Sequence, residues 1–174
     1  MTAPLTYLIA TPHLGGTMFE QAVILLLEHG QEGAMGLIVS LQTDMEIGDL
    51  LPAAKGRKER AWLGGPVEPQ VGWCLYEHST GQPGELRLAE GLYVTSGLEV
   101  LEQVMKREGK FMLMLGYAGW GAGQLEEEAK IGSWLFLEEG PDLALHVAPE
   151  ERWKQAWARL GVDPATLVAG GAQA

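Results

Sequence analysis

Two apolar runs, Ala22 to Glu28 and Ala34 to Val39, constrain the fold most. Each is rich in branched side chains and too short to be a free-standing helix. Near-continuous apolarity over six or seven residues is the mark of a strand covered on both faces. Between them lies His29-Gly30-Gln31-Glu32-Gly33, which predicts a hairpin with a five-residue loop. A membrane span needs about 20 apolar residues, and the longest strongly apolar run here, Ala22 to Leu27, ends at Glu28. The hairpin therefore belongs inside a globular sheet.

The other segments follow the same logic. Thr6 to Ala10 predicts a first strand that Pro12 ends. Ile47 to Leu51 predicts a helical turn stopped by Pro52, and Ala53 to Arg60 a polar connector. Ala61 to Leu63 and Val71 to His78 predict strands flanking Gly64-Gly65-Pro66. Ser79 to Glu85 predicts a loop, and Glu85 to Leu88 and Gly91 to Val94 short strands. Ser96 to Gly109 predicts a helix, with Ser96 and Glu99 as a capping box and Gly109 at the left-handed C-terminal position. Phe111 to Leu115 predicts a central strand, Gly116 to Gly123 a glycine-rich turn, and Gln124 to Ile131 a short helix. Trp134 to Leu137 predicts another strand. Pro149 starts a last helix whose face carries Trp153, Trp157 and Leu160, with Gly161 as its stop. There is no regular alternation of strand and helix. The expectation is an α+β fold with a mixed, mostly antiparallel sheet curled round a core. With 174 residues, the chain is expected to form one domain over 1–165, followed by a flexible tail over 166–174.

Charge narrows the function. With 23 Asp and Glu against 12 Lys and Arg, the net charge is −11. Nucleic acids and anionic membranes require a basic face, so direct binding to either is not expected. The local basic run Lys55, Arg57, Lys58 and Arg60 contains no aromatic to stack a base, and reads as a solvated loop. Cys74 is the single cysteine. It cannot form an internal disulfide and predicts a buried, inert thiol in a cytoplasmic protein. The first basic residue is Lys55, so no basic leader precedes an apolar stretch.

The segment Gly116-Tyr117-Ala118-Gly119-Trp120-Gly121-Ala122-Gly123-Gln124-Leu125-Glu126 closely resembles the signature of the bacterial YqgE/AlgH family. Leu26-Leu27-Glu28-His29 with Gly33-Ala34-Met35-Gly36-Leu37 resembles the same family. So do Leu63-Gly64-Gly65-Pro66-Val67, Gly91-Leu92-Tyr93, Ser133-Trp134 and the helix from Trp153 to Gly161. The resemblance spans about residues 5–163. It implies a split sheet bent into a pseudo-barrel with a few flanking helices. It implies no established reaction, and one member carries a transcriptional-regulator label that rests on a genetic association. The family usually has Asn-Arg-Pro where this chain has Ser40-Leu41-Gln42, and often Arg where this chain has Gln21.

Candidate site residues centre on Gly119, Trp120, Gly121, Gly123 and Gln124, with Gly64, Gly65, Pro66 and His29. Alternate glycines before a helix can open backbone N–H groups toward an anion. Against this, Glu126, Glu127 and Glu128 fill the first helical turn and repel phosphate. They favour a neutral or cationic ligand, or a peptide. The simpler reading is that the glycines let backbone pack beneath Trp120. Five of the six tryptophans, Trp62, Trp73, Trp134, Trp153 and Trp157, read as core. Trp120 is the one expected at a surface or cleft. His29 follows Glu28 and His78 follows Glu77, but strand neighbours point to opposite faces, so neither pair forms a dyad alone. If their strands pair, the two histidines can meet. The four histidines show no metal-ligand spacing, so no metal and no cofactor is implied. No nucleophile elbow, phosphate loop or dinucleotide fingerprint is present, and the catalytic residues stay unassigned. Three functions remain. The first is a non-enzymatic cytoplasmic protein that binds an unknown protein or small-molecule partner. The second is a hydrolase-like enzyme built on His29, Glu28 and the glycine-rich segment. The third is a transcriptional regulator, which the charge opposes.

Overall fold

The computed structural model describes residues 4–165. The tail expected over 166–174 lies outside them. The ten strands among the described residues form one mixed sheet. They are β1 (Leu5–Ala10), β2 (Val23–Gly30), β3 (Gly33–Ile38), β4 (Gln42–Glu46), β5 (Arg60–Leu63), β6 (Val67–Tyr76), β7 (Leu86–Ala89), β8 (Leu92–Thr95), β9 (Phe111–Gly121) and β10 (Trp134–Glu139). The order is β10-β1-β2-β3-β9-β6-β8-β7, with β5 also pairing β9 and β4 pairing β5. All pairings are antiparallel except β5 with β9.

The sheet splits along β9. The last four residues of that strand, Ala118 to Gly121, pair with β3, while Phe111 to Leu115 pair with β6. Between the two stretches sits Gly116, with φ +71°. Opposite it, β6 carries a bulge between Val67 and Gly72. A bulge opposite a left-handed residue bends a strand pair sharply, and here it turns one half-sheet against the other.

The crossing is tight. The end of β5 passes over β9, and Gly64 donates its N–H to the Leu115 carbonyl at 2.7 Å. A Cβ on Gly64 would lie 2.4 Å from the Gly116 oxygen, and one on Gly65 2.0 Å from the Tyr117 carbonyl carbon. No side chain fits there, so these glycines are demanded by the approach of two backbones.

The sheet curls into a half-barrel. Its interior holds Tyr7, Ile9, Val23, Leu25, Leu37, Leu75, Leu92, Met112 and Met114, all buried. The two outer strands contribute to the same interior, Ala89 from β7 and Leu137 from β10, and a Cβ added at Gly91 would lie 3.8 Å from Pro141 just past β10. Helices α4 (Asp142–Leu145) and α5 (Arg152–Leu160) close the interior with Leu143, Ala156 and Trp157. Arg152 is buried there. It donates to the Val39 and Val147 carbonyls at 2.8 and 2.9 Å and lies 4.6 Å from the Trp62 ring centre. Burial pulls its guanidinium down to about 10, so it stays charged at neutral pH, held by carbonyl dipoles and the π face.

A second apolar layer covers the outer face of β1, β2 and β3. It joins Leu8, Ile24, Trp120 and Trp134 under α3 (Gln124–Lys130). A third packs α2 (Leu98–Met105) on Cys74, Tyr76 and Leu113, with α1 (Ile47–Leu50) alongside through Ile47.

Several expectations need correction. The capping box does not form, because α2 begins after Gly97 with no side-chain cap. Thr95 Oγ1 accepts from the Gly97 N–H instead, at 3.0 Å. The helix stops at Met105, and Gly109 turns beside His78 and Glu77 rather than ending the helix. The expected turn over Gly116–Gly123 is mostly strand, since β9 runs on to Gly121. The five-residue hairpin loop is two residues, because His29, Gly30 and Gly33 join the ladder.

Candidate functional site

The glycine-rich segment and His29 meet at the edge of the second apolar layer. Trp120 pairs opposite Ala34, which turns its ring to the face shared by Leu8 and Ile24. It is 7% exposed, so the expectation of a surface tryptophan is overturned. The reason is strand parity. Once β9 continues through Gly121, alternate residues alternate faces, and Trp120 falls inward. Its ring meets Trp134 edge to face, with centroids 5.9 Å apart and planes at 82°.

Glu128 organises this layer. One of its carboxylate oxygens accepts from both the Trp120 and Trp134 indole N–H groups, each at 2.9 Å. The other accepts from the Gln124 side-chain amide, also at 2.9 Å. The Gln124 carbonyl in turn accepts from the Gly121 N–H at 3.0 Å. The open backbone donors expected of an anion cradle are thus partly taken: Gly121 by Gln124, while Gly119 faces Met35 in the ladder. Gly123 begins α3 with φ +77°.

His29 does not meet His78, because β2 and β6 do not pair. Its Nε2 lies 2.6 Å from Glu126 Oε2, on α3. Its ring stacks on Phe136 of β10, with centroids 6.1 Å apart and planes at 12°. The hydrogen bond from His29 holds the Glu126 carboxyl below the usual carboxylate range. Beside this pair a cleft of about 280 Å³ opens between Leu26, Leu27, Glu28 and His29 of β2 and Leu88 of β7. Glu28 and His29 therefore share one cleft, but the glycines of β9 do not line it. Gly64, Gly65 and Pro66 lie against Gly116 and Tyr117 at the backbone crossing instead.

Glu77 and His78 depart from strand alternation because β6 ends at Tyr76. Glu77 Oε1 is 3.6 Å from His78 Nε2, and Oε2 is 2.9 Å from His146 Nε2. Cys74 is 1% exposed, and burial pushes its thiol well above the usual value, so the thiolate of a nucleophile is disfavoured. The basic run faces carboxylates. Arg57 pairs with Glu59, Lys58 with Glu46 and Arg60 with Asp44. Among the described residues no group of three or more His, Cys, Asp or Glu is placed to hold a metal ion, and no helix is long and apolar enough to cross a membrane.

Sequence reading missed Glu126 as the partner of His29, Phe136 as its stacking surface, and Glu128 as the shared indole acceptor. One signal was available, since Gln124 and Glu128 stand four apart and share a helix face.

A split, curled sheet crossed by glycine backbones, with the indole pair beneath a short helix, is an α+β half-barrel of one recurrent kind. The family DUF179, AlgH-like, matches residues 7–165, and the chain belongs to it. A UPF0301 protein of Myxococcus xanthus is 39% identical over 170 residues, covering 94% of this chain and 93% of that one. A UPF0301 protein of Ruegeria pomeroyi is 37% identical, covering 96% of each. The solution structure of the AlgH protein from Pseudomonas aeruginosa superposes with a TM-score of 0.76 at 33% identity, over 95% of this chain and 92% of that one. Protein DIP2367 from Corynebacterium diphtheriae shares the fold with a TM-score of 0.74 at 24% identity, over 90% of this chain and 86% of that one.

Proposed function

We propose that this protein acts by binding a partner, through the rim where His29 stacks on Phe136 above the cleft of β2. One observation carries the reading. Phe136 is a large aromatic left 43% exposed, lying against a histidine whose imidazole a carboxylate already orients. Exposed aromatics beside fixed polar groups are the usual anchors of interfaces. Leu26, Leu27 and Leu88 give the cleft an apolar floor, and Glu28 gives it negative charge. The partner is a protein segment or small molecule presenting an apolar group with a neutral or cationic neighbour. Gly119, Trp120, Gly121, Gly123 and Gln124 serve this surface from beneath, by holding α3 and therefore Glu126. Gly64, Gly65 and Pro66 serve it by fixing the bend of β9.

Catalysis is the weaker reading, because an enzyme site built on His29, Glu28 and the glycine-rich segment needs all three round one cleft, and the glycines of β9 do not line the cleft of Glu28 and His29. The compartment that fits a lone buried cysteine is the cytoplasm. A regulatory role would run through a protein partner, since a chain of net charge −11 is repelled by a phosphate backbone. The test is affinity capture from a lysate of the host, with wild type beside Phe136→Ser. We expect a species retained by wild type and lost by the folded variant. Equal capture by both, or nothing captured by either, counts against the reading.

A further inference from the structure

A second cavity lies at the opposite end of β1 and β2, where the first strand stops and the second begins. It measures about 260 Å³ and is lined by Thr11, Pro12, Gly15, Glu20, Gln21 and Trp153. Its aromatic wall is fixed from two sides. The Trp153 indole N–H donates to the Ala10 carbonyl at 2.8 Å, and its ring meets Trp157 edge to face with centroids 5.8 Å apart. Its charged wall is a single carboxylate, Glu20, of which one oxygen already accepts from the Gly16 N–H at 2.9 Å. The Thr11 hydroxyl is committed to the Gly132 carbonyl at 2.5 Å. Gln21 sits at φ +55°, one of two non-glycine residues with positive φ among those described. Non-glycine residues seldom adopt that backbone conformation, and they do so in turns as well as at binding sites.

We propose that this cavity binds a small quaternary ammonium compound, its trimethylammonium head against Trp153 and its charge facing Glu20. An aromatic face and a carboxylate both attract a cation, and no cationic side chain lines the wall. An anion is repelled by Glu20, and a purely apolar guest leaves that charge unpaired. A primary ammonium brings three N–H donors. Lying against the indole strips water from those donors, and the ring gives them no acceptor in exchange. A quaternary head brings no such donors. The volume exceeds the roughly 150 Å³ that holds benzene in an engineered cavity, which leaves room for the head and a short tail. This site is separate from the His29 rim, and either assignment can fail without the other.

The experiment is a choline titration of the ¹⁵N-labelled protein, following the Trp153 indole and Gln21 side-chain amide resonances. Choline is expected to move both saturably. Its neutral isostere 3,3-dimethylbutan-1-ol, and ethanolamine, are each expected to bind about tenfold more weakly. Glu20→Gln, an exposed substitution whose spectrum reports directly on folding, is expected to weaken choline by a similar factor. Lack of a saturable shift overturns the proposal. So does equal binding of the neutral isostere or of ethanolamine, or full choline affinity in Glu20→Gln.

Discussion

Two glycine-rich regions meet on β9, and they differ in what their glycines are for. At the crossing, Gly64, Gly65 and Gly116 face backbone, and any added Cβ would lie within 2.4 Å of a heavy atom. A few residues on, Gly119 and Gly121 face a side-chain carbon at 3.5 Å and a side-chain oxygen at 3.9 Å, which is ordinary contact distance. The first group is required by geometry. The second leaves room. Glycine density in a sequence therefore marks no site by itself, and what separates the two regions is the distance to the next backbone.

The largest test of that contrast is Gly65→Ala. With its Cβ 2.0 Å from the Tyr117 carbonyl carbon, the crossing must open. The expected loss exceeds about 4 kcal/mol in urea denaturation, and a loss below 1 kcal/mol would dissolve the contrast. Next comes Glu128→Ala, which strips the shared acceptor from two buried indoles. About 3 kcal/mol is expected, since each unpaired donor costs on the order of 1–3 kcal/mol. A Tm unchanged from wild type would mean that Glu128 does not hold α3 to the sheet.

A smaller effect, and one that depends on pH, belongs to Glu85 in the far half-sheet. Burial raises its pKa, but donors from Ser79, Tyr76 and Thr80 outweigh burial and bring it down to about 2. A carboxyl depressed in the folded state stabilises above its ordinary pKa, and that contribution fades as pH falls from the ordinary range toward 2. Glu85→Gln should therefore melt below wild type at pH 7, with the gap narrowing as pH falls below about 4.5 and closing only near pH 2. A gap that widens on acidification would reverse the sign. The smallest expected effect is Gly119→Ala, which removes a flexible residue from a strand with room for a methyl. It should raise stability by about 0.5 kcal/mol, and a large loss would place Gly119 with the crossing glycines.

Most of the sheet was legible because its strands are apolar. The hairpin of β2 and β3 and the first half of β9 declare themselves through runs such as Phe111 to Leu115. The polar strand β4, Gln42-Thr43-Asp44-Met45-Glu46, gave no such signal, since it lies at an edge and pairs only with β5. The second half of β9 read as a turn because four glycines in eight residues have no strand propensity. Only its pairing to β3 makes it extended. Trp120 followed that error, since its face depends on whether the strand continues. Of the candidate site, His29 was visible and its partners were not. Glu126 and Phe136 stand about 100 residues away, and no local pattern joins them.

The register of β1 with β10 sets Leu5 against Glu139. A chain leaving the ribosome at about 5–20 residues per second must wait roughly 7–27 s between these two residues. During that interval β1 can pair on one side with β2 while its other edge stands open. An unpaired apolar edge is a template for any neighbouring strand. Nascent copies of this protein are therefore exposed to mispairing until β10 is made, and a chain truncated ahead of Trp134 would keep that edge open permanently.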